Sequence, residues 1–264
     1  MYKHREDSIQ NLINYYKDTD GVIAVVLDGS VVKGNARADS DIDAIVVVTE
    51  EKFAELKAQN RMTEVIGGHC TYEGGYFDVK YKTKALLRAA AARASEPTRN
   101  AYVKAKTVFS KDAEIAPLVE KIAAYPEAER AAKIHCFQAN LELNRGYFMS
   151  CVPESNAYMR AHMAQEIVYS VYRLILAENR TLFPCNRRLE ETVAACKKRP
   201  DNILALGAKF LNDITPENCE KFVGAFTAQT SLPMKQDLNK LLSDYTLYYE
   251  DWWNENRPPF PNEW

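Results

Sequence analysis

Apolar residues in the first 110 positions form short continuous runs that alternate with segments of helical periodicity. The runs are typical of buried strands, which are predicted at 21–28, 42–48, 62–67, 75–81 and 107–109. Helices are predicted at 4–18, 29–36, 50–59 and 84–93. The alternation of the two predicts an α/β sheet domain in this part of the chain.

Strand signals stop after Lys111, and helical periodicity continues almost to the end of the chain. Prolines separate the periodic segments, because proline is accepted only outside a helix or in its first turn. The predicted helices are 112–124, 127–150, 155–179, 186–197, 201–213, 216–229 and 234–253. The sequence therefore predicts the fold class α+β, with a sheet domain at 1–111 and an all-α helical bundle at 112–264.

A Gly-Ser pair follows the first predicted strand directly. Where a strand ends and a helix begins, backbone N–H groups are unpaired and lie at the positive end of the helix dipole. Gly29 lets the backbone approach an anion closely, and Ser30 adds a hydroxyl donor. This turn is suited to phosphate oxygens, although Gly-Ser is also common in ordinary turns.

Two aspartates, Asp41 and Asp43, stand at the beginning of the second predicted strand. Residues two apart project from the same face of a strand, which places Ile42 on the opposite, buried face. Two close carboxylates repel each other, and a bound Mg²⁺ relieves that repulsion while leaving coordination positions for substrate phosphates. The alternative is a polar segment in which Ser40 and Asp41 only cap a turn.

A third carboxylate is predicted on the strand at 75–81. Asp78 lies on the face opposite to Phe77 and Val79, so it is a candidate for the same metal site. Its alternative role is an ion pair with Lys80 or Lys82 at the edge of the sheet.

These residues form one combined pattern: Gly29-Ser30, Gly34, Ser40-Asp41-Ile42-Asp43 and the apolar-flanked Asp78. The pattern covers residues 20 to 82 and resembles the nucleotidyltransferase superfamily of DNA polymerase β, most of all its bacterial aminoglycoside and lincosamide nucleotidyltransferases. The resemblance implies a mixed sheet flanked by helices, with a helical bundle that shapes the acceptor site. It also implies Mg²⁺-dependent transfer of a nucleoside monophosphate, with AMP from ATP as the expected group, to a hydroxyl of a small molecule such as an antibiotic, and release of pyrophosphate.

Residue roles follow from the same resemblance. It implies that Gly29 and Ser30, with Ser40 of the same motif, hold the triphosphate. It implies that Asp41 and Asp43 bind Mg²⁺, and that Asp78 completes the metal site or helps to activate the acceptor hydroxyl. One alternative is a protein-modifying nucleotidyltransferase of the antitoxin type, which is disfavoured because such proteins tend to be a sheet domain alone. The other is a non-catalytic nucleotide-binding protein, which is disfavoured because all three aspartates are present.

Charged residues near the motif affect the binding of a triphosphate. Positive candidates for binding it are Lys33, Arg37, Arg99, Lys104 and Lys106. Asp28 departs from the family pattern, which usually has a small or apolar residue before the Gly-Ser pair. A carboxylate there repels a triphosphate unless it points away or caps the helix that follows.

A general base for the acceptor hydroxyl is predicted on the helix at 155–179. His162, Glu166, Tyr169 and Arg173 share one face of that helix, which we expect to line a cleft. Our hypothesis is that Glu166 acts as general base or anchors the acceptor. The alternative is a solvated stripe with His162–Glu166 and Tyr169–Arg173 contacts.

Aromatic and acidic residues are concentrated near the end of the chain. They are Tyr245, Tyr248, Tyr249, Glu250, Asp251, Trp252, Trp253 and Glu255. Packing of the last helix is the favoured interpretation, and binding of a cationic acceptor or a contact between two copies in a homodimer are the alternatives. The proline-rich stretch from Arg257 to Trp264 is predicted to lie extended across the surface, held by Phe260 and Trp264.

Composition limits the partners. The formal net charge of −2 disfavours a nucleic-acid partner. Because the sequence contains neither a signal-peptide pattern nor a membrane-spanning apolar run, we expect a cytoplasmic protein without a membrane partner. Its six cysteines lack C-x-x-C spacing, so we expect buried apolar residues rather than disulfides or a zinc site.

Overall fold

The computed structural model describes residues 3–34, 36–37, 40–234, 237–254 and 260–263. The chain divides into two compact units, Met1–Ala124 and Tyr125–Trp264. The first contains a mixed sheet and the second is helical, which confirms the predicted α+β class. The division falls after the proposed boundary at residue 111, because the helix Ile115–Ile122 buries its apolar face in a core shared with the strands of the first unit.

The first unit contains six helices and five strands within its described residues. The helices are α1 (Lys3–Tyr16), α2 (Gly29–Lys33), α3 (Glu50–Ala58), α4 (Lys84–Arg93), α5 (Glu96–Tyr102) and α6 (Ile115–Ile122). The strands are β1 (Val22–Leu27), β2 (Ile42–Val48), β3 (Thr63–Gly67), β4 (Tyr76–Thr83) and β5 (Lys106–Ser110).

The strand order in the sheet is β3-β4-β2-β1-β5. β1 is antiparallel to both β2 and β5, and β3 is antiparallel to β4. β2 and β4 are parallel, and parallel neighbours require a crossover connection, which α3 and β3 supply. As a result, β2 and β4 begin side by side at the same end of the sheet.

Alternate residues of each strand face two different apolar layers, as the period-2 pattern predicts. Ile42 and Val46 of β2 pack in the layer that contains Leu12 of α1 and Leu56 of α3. Val47 of β2 packs on the other side, with residues of α4 and α6. Phe77 and Val79 belong to the layer of Ile42, so Asp78 projects from the opposite face, as predicted.

Threonine begins three of the helices. The hydroxyl of Thr49 accepts a hydrogen bond from the backbone N–H of Lys52 at the start of α3. The hydroxyl of Thr83 likewise accepts from a backbone N–H in the first turn of α4. In the second unit Thr215 caps the helix that opens with Pro216. Such caps pair backbone N–H groups that the first turn leaves unsatisfied, which explains why these helices start where they do.

The second unit is built from α7 (Arg130–Ser150), α8 (Ala157–Glu178), α9 (Leu189–Ala195), α10 (Ile203–Asn212), α11 (Pro216–Gln229) and α12 (Leu238–Tyr245). α8 is its central helix, since every residue from 167 to 178 is buried. Aromatic side chains fill the core around it, with Phe137 edge-on to Tyr169 and Phe222 edge-on to Tyr172. The bundle is therefore held by burial of apolar surface on all sides of α8.

The end of the chain differs from its prediction. α12 stops at Tyr245 and is followed by a π-helical turn, Thr246–Glu250. Tyr248 and Tyr249 pack against the core, whereas Trp252 and Trp253 are 41% and 69% exposed, so the packing prediction is correct only in part.

The predicted surface-extended tail is wrong in its described portion. Phe260–Asn262 forms a 3₁₀ turn, and both Phe260 and Glu263 are buried. Glu255 and Trp264 lie outside the described residues.

None of the six cysteines, all within the described residues, forms a disulfide in this structure. Cys136, Cys196 and Cys219 are buried, but Cys151 is exposed, so burial was predicted correctly for only some of them. Within the described parts of the chain, no helix combines the length and the apolar character required to cross a membrane.

Candidate active site

Three aspartates meet at the end of the sheet where β2 and β4 begin. Asp43 and Asp78 are register partners in the parallel pair, and Asp41 directly precedes β2. One carboxylate oxygen of each lies within 4.8 Å of the others, and all three residues are half-buried. The structure thus brings together Asp41, Asp43 and Asp78, which the sequence analysis selected.

Electrostatic repulsion within this cluster is visible at Asp43. Burial raises the pKa of Asp43, and the charges of Asp41 and Asp78 raise it further, while Lys80 and Lys33 act in the opposite direction. Three oxygen ligands whose mutual repulsion is unrelieved are the donor set that a hard divalent cation prefers. The residues present therefore fit a divalent metal ion.

The Gly-Ser turn lies against the same carboxylates. Gly29 opens α2 with a φ of +69°, a left-handed conformation that side-chain-bearing residues rarely adopt, and the backbone N–H of Asp28 donates to the carbonyl of Asp43 at 3.1 Å. A Cβ atom at Gly29 would overlap the carboxylate of Asp43. Glycine is thus required both by the turn and by the space that Asp43 occupies.

Asp28 is buried next to the triad. Its side chain makes no capping hydrogen bond, so capping of α2 does not offset its charge. Burial, followed by the charge of Asp43, raises the pKa of Asp28 to about 7, against the opposing effect of Lys80 and Lys33. Near neutral pH this carboxyl is partly protonated, which lessens its repulsion of a triphosphate.

Three of the positive candidates are engaged by the protein itself, and one of them, Lys104, donates from its ammonium to the carbonyl of Lys33 at 3.4 Å. The ammonium of Lys33 donates to the carbonyl and the side-chain oxygen of Asn100, at 2.9 and 3.1 Å, although its charge still acts on Asp28 and Asp43. Arg99 is buried and donates to the carbonyls of Ala94, Ile122 and Ala124. Arg99 thus satisfies backbone carbonyls of the first unit, so its selection as a candidate for binding the triphosphate is wrong.

Ser40 and Arg37 form a turn just before the aspartates. The backbone N–H of Arg37 donates to the hydroxyl of Ser40 at 2.9 Å, and the N–H of Ser40 donates to the carbonyl of Arg37 at 3.1 Å. The carbonyl of Arg37 also accepts from the guanidinium of Arg5. Ser40 therefore takes part in a turn, as in the alternative given by the sequence analysis, whereas Asp41 belongs to the cluster of three carboxylates.

Two further residues at this site were not selected from the sequence. Tyr76 is the first residue of β4, and the nearby carboxylate of Asp41 raises the pKa of Tyr76. Lys80 lies two residues beyond Asp78 on the same face of β4, and its charge lowers the pKa of Asp28 and Asp43. In the described part of the chain, Asp78 forms no ion pair with Lys80 or Lys82. The spacing Asp78-x-Lys80 was the signal that could have identified this lysine as a site residue.

Glu166 belongs to the second unit. Its carboxylate accepts a hydrogen bond at 2.8 Å from the side-chain amide of Asn140, which also donates to Ser170. His162 is exposed and stacks on Tyr158. The expected polar face toward a cleft is wrong for Tyr169 and Arg173, which are buried and hydrogen-bonded to each other at 2.7 Å.

The matched protein family agrees with this geometry. Residues 10–95 match the family described as Polymerase beta, Nucleotidyltransferase, and the match includes the Gly-Ser turn and all three aspartates. This segment is a nucleotidyltransferase domain. This match confirms the predicted resemblance to the nucleotidyltransferase superfamily and the predicted enzyme class.

Two solved structures are only distantly similar to the chain as a whole. A nucleotidyltransferase-like protein from Exiguobacterium sibiricum 255-15 is 12% identical, with a TM-score of 0.48 over 96% of this chain and 81% of that one. Spectinomycin adenyltransferase AAD(9) from Enterococcus faecialis, solved with ATP and spectinomycin, is 12% identical, with a TM-score of 0.31 over 94% of this chain and 97% of that one. A comparison with curated protein sequences found no match.

Proposed function

We propose that this protein is a Mg²⁺-dependent nucleotidyltransferase that moves AMP from ATP to a hydroxyl group of a small molecule. The observation that carries the proposal is the convergence of Asp41, Asp43 and Asp78 within 4.8 Å of one another, beside the Gly29 turn of a nucleotidyltransferase domain. The proposed domain roles are catalysis by residues 1–111 and acceptor binding by the helical part of the chain.

The aspartates are assigned to the metal ion. Asp41, Asp43 and Asp78 would hold Mg²⁺. When bound, the ion neutralises phosphate charge and makes the acceptor hydroxyl more acidic. The close approach of Gly29 to Asp43 supports this assignment, because it keeps the Gly-Ser turn next to the carboxylates.

Donor binding is assigned to the turn and to nearby positive charge. Backbone N–H groups at Gly29 and the hydroxyl of Ser30 would donate to phosphate oxygens. Lys33 and Lys80 lie close enough to influence Asp28 and Asp43, so their charges also favour a polyanion at this place. Arg37 and Ser40 would support this site through the turn that they form.

In the reaction, the acceptor hydroxyl oxygen forms a bond to the α-phosphorus of the nucleotide. The bond from that phosphorus to the bridging oxygen breaks, and pyrophosphate leaves with the electron pair. The hydroxyl proton is assigned to the carboxylate of Glu166, whose orientation is held by Asn140. Asp78 is the other carboxylate proposed to help to activate this hydroxyl.

The test is an assay of pyrophosphate release and of the mass of the acceptor. The protein is incubated with each nucleoside triphosphate, Mg²⁺ and a panel of aminoglycosides and lincosamides, and a product heavier by one nucleoside monophosphate is expected. Asp43→Asn should abolish the signal, while Asp201→Asn, at a fully exposed side chain, should leave it unchanged. Silence with every acceptor removes the antibiotic-modifying function, and activity that survives Asp43→Asn removes the metal assignment.

A further inference from the structure

Two cationic side chains are buried in the core of the helical unit. Lys133 of α7 and Arg173 of α8 are 1% and 2% exposed. A buried charge is tolerated only when it is paired and hydrogen-bonded, because its hydration is lost. Two such cations close together therefore require negative charge in the same place.

One carboxylate joins both cations. An oxygen of Glu263 lies 2.9 Å from the guanidinium of Arg173, and the other lies 3.8 Å from the ammonium of Lys133. Lys133 also pairs with Glu129 at 3.1 Å, and Arg173 donates to the hydroxyl of Tyr169. Glu263 is itself buried, so the carboxylate is held away from solvent.

Aromatic rings complete the surroundings of these charges. The guanidinium of Arg173 lies over the rings of Phe137 and Phe183, at 4.5 and 4.2 Å from their centroids. Rings on its faces leave the edge of the guanidinium for hydrogen bonds, and that edge contacts Glu263. Phe260, from the same segment as Glu263, is buried beneath the ammonium of Lys133.

The two cations lie on helices that pack against each other. α7 and α8 pack along each other in the core of the unit, and Phe137 and Phe183 are part of the same core. Glu263 arrives from a segment distant in sequence, 90 residues from Arg173. Helices α7 and α8 thus supply the two cations, and a distant part of the chain supplies the carboxylate that binds them.

We propose that Lys133 and Arg173 form a carboxylate-binding site in the helical unit, and that the chain fills this site with its own Glu263. Segment Phe260–Glu263 acts as an internal ligand, with Phe260 as its apolar anchor. The site is independent of the nucleotidyl transfer proposed above. Its ligand class is a carboxylate flanked by an apolar group.

The test is recovery of stability by a free carboxylate. Glu263→Ala in the full chain removes the internal ligand and opens space beside both cations, and the midpoint of thermal unfolding should fall by on the order of 10 °C. Formate or acetate at tens of millimolar should raise that midpoint again with a saturable dependence, and chloride at the same ionic strength should not. The wild-type protein should not respond to formate, because its site is filled.

Two variants serve as controls. Glu263→Gln keeps the volume without the charge, so we expect a fall of the midpoint without recovery in formate. Glu217→Ala removes an exposed partner of Lys221 and should change neither the midpoint nor the response to formate.

An unchanged midpoint in Glu263→Ala would overturn the proposal, as would recovery that chloride reproduces. If Glu263→Ala does not fold in chloride, refolding in formate replaces the melting experiment. Folded protein in formate alone supports the site, and failure in both salts contradicts it.

Discussion

The backbone of Gly29 lies so close to the side chain of Asp43 that only glycine fits at position 29. The Cα of Gly29 faces the carboxylate of Asp43 so closely that a Cβ atom would overlap it, and the φ of Gly29 is +69°. The loop that is proposed to bind phosphate and the strand that carries a proposed metal ligand are therefore positioned by one close backbone approach.

Gly29→Ala should disrupt both stability and activity. The left-handed φ alone costs on the order of 1–2 kcal/mol, and the overlap with Asp43 forces the carboxylate or the turn to move. We expect a lower unfolding midpoint and a loss of pyrophosphate release of at least about tenfold.

Gly34→Ala is the matched control for Gly29→Ala. Gly34 also has a positive φ, +83°, but no atom lies within 4 Å of the position of its Cβ. The Gly34→Ala variant should lose a similar amount of stability, because alanine is strained at this φ, and should keep most of its activity. Equal loss of activity in both variants would mean that the contact with Asp43 has no special role.

The stability of the metal-free protein should depend on pH through Asp28. Its pKa in the folded protein is about 7 and its ordinary value is 3.8, so the folded state retains a proton that the unfolded chain has released. The free energy of unfolding therefore falls as the pH rises from about 4 to about 7, by up to roughly 4 kcal/mol from this group, and changes little from this cause above pH 7.

Asp28→Asn should flatten that dependence, because the amide does not titrate. The measurement is denaturant unfolding in the presence of a chelator at several pH values, for the wild type and the variant. The exposed Asp201→Asn serves as control and should retain the wild-type slope. The same slope in wild type and Asp28→Asn would contradict the assignment.

Lys80 should contribute to nucleotide binding more than its neighbour Lys82 does. Both lie on one face of β4, but only Lys80 lowers the pKa of Asp28 and Asp43. Lys80→Met should raise the KM for the nucleotide about tenfold, equivalent to roughly 1.4 kcal/mol, with a smaller effect on kcat.

Lys82→Met is the comparison. Burial lowers the pKa of Lys82, and the charge of Lys80 lowers it further, so removal of its ammonium from the strand is well tolerated. Its KM should stay within about a factor of two of the wild-type value. If the two variants raise the KM for the nucleotide equally, the effect comes from positive charge in general, and the position of Lys80 has no special role.

Glu166→Gln should lower kcat by about 10²-fold or more, because the amide cannot accept the proton of the acceptor hydroxyl. The KM for the nucleotide should remain unchanged, and the variant should fold, since a glutamine can still accept from Asn140. Steady-state turnover over a range of pH is the measurement, with Glu217→Gln as an exposed control. Turnover near the wild-type rate would remove Glu166 from the mechanism.

Much of the first unit could be predicted because its signals are local. Strand β2 ends in a continuous apolar run over residues 44–48, which makes the strand recognisable in the sequence, and the period of two places Asp41 and Asp43 on one face. The same rule separates Asp78 from Phe77 and Val79. Asp78 enters the cluster because β2 and β4 are parallel neighbours, a pairing that the periodicity of neither strand determines.

Errors occurred where the environment of a charged residue depends on distant parts of the chain. Arg173 was predicted to line a cleft because helical spacing places it with Glu166, yet it is buried by Phe137, Phe183 and Glu263. Arg99 was predicted to reach a ligand, yet it pairs with carbonyls up to 25 residues away. Helical spacing defines a face but not what covers it.

The sequence by itself determined the strands of the first unit, most of the helices, the Gly-Ser turn and the spacing of Asp41 and Asp43, because these depend on residues within one or two turns of each other. Only the tertiary structure decided that Asp28 is buried beside the triad, that Lys80 acts on it, and that Glu263 joins Lys133 to Arg173. Burial and charge pairing are properties of the assembled core, and segments far apart in sequence supply them together.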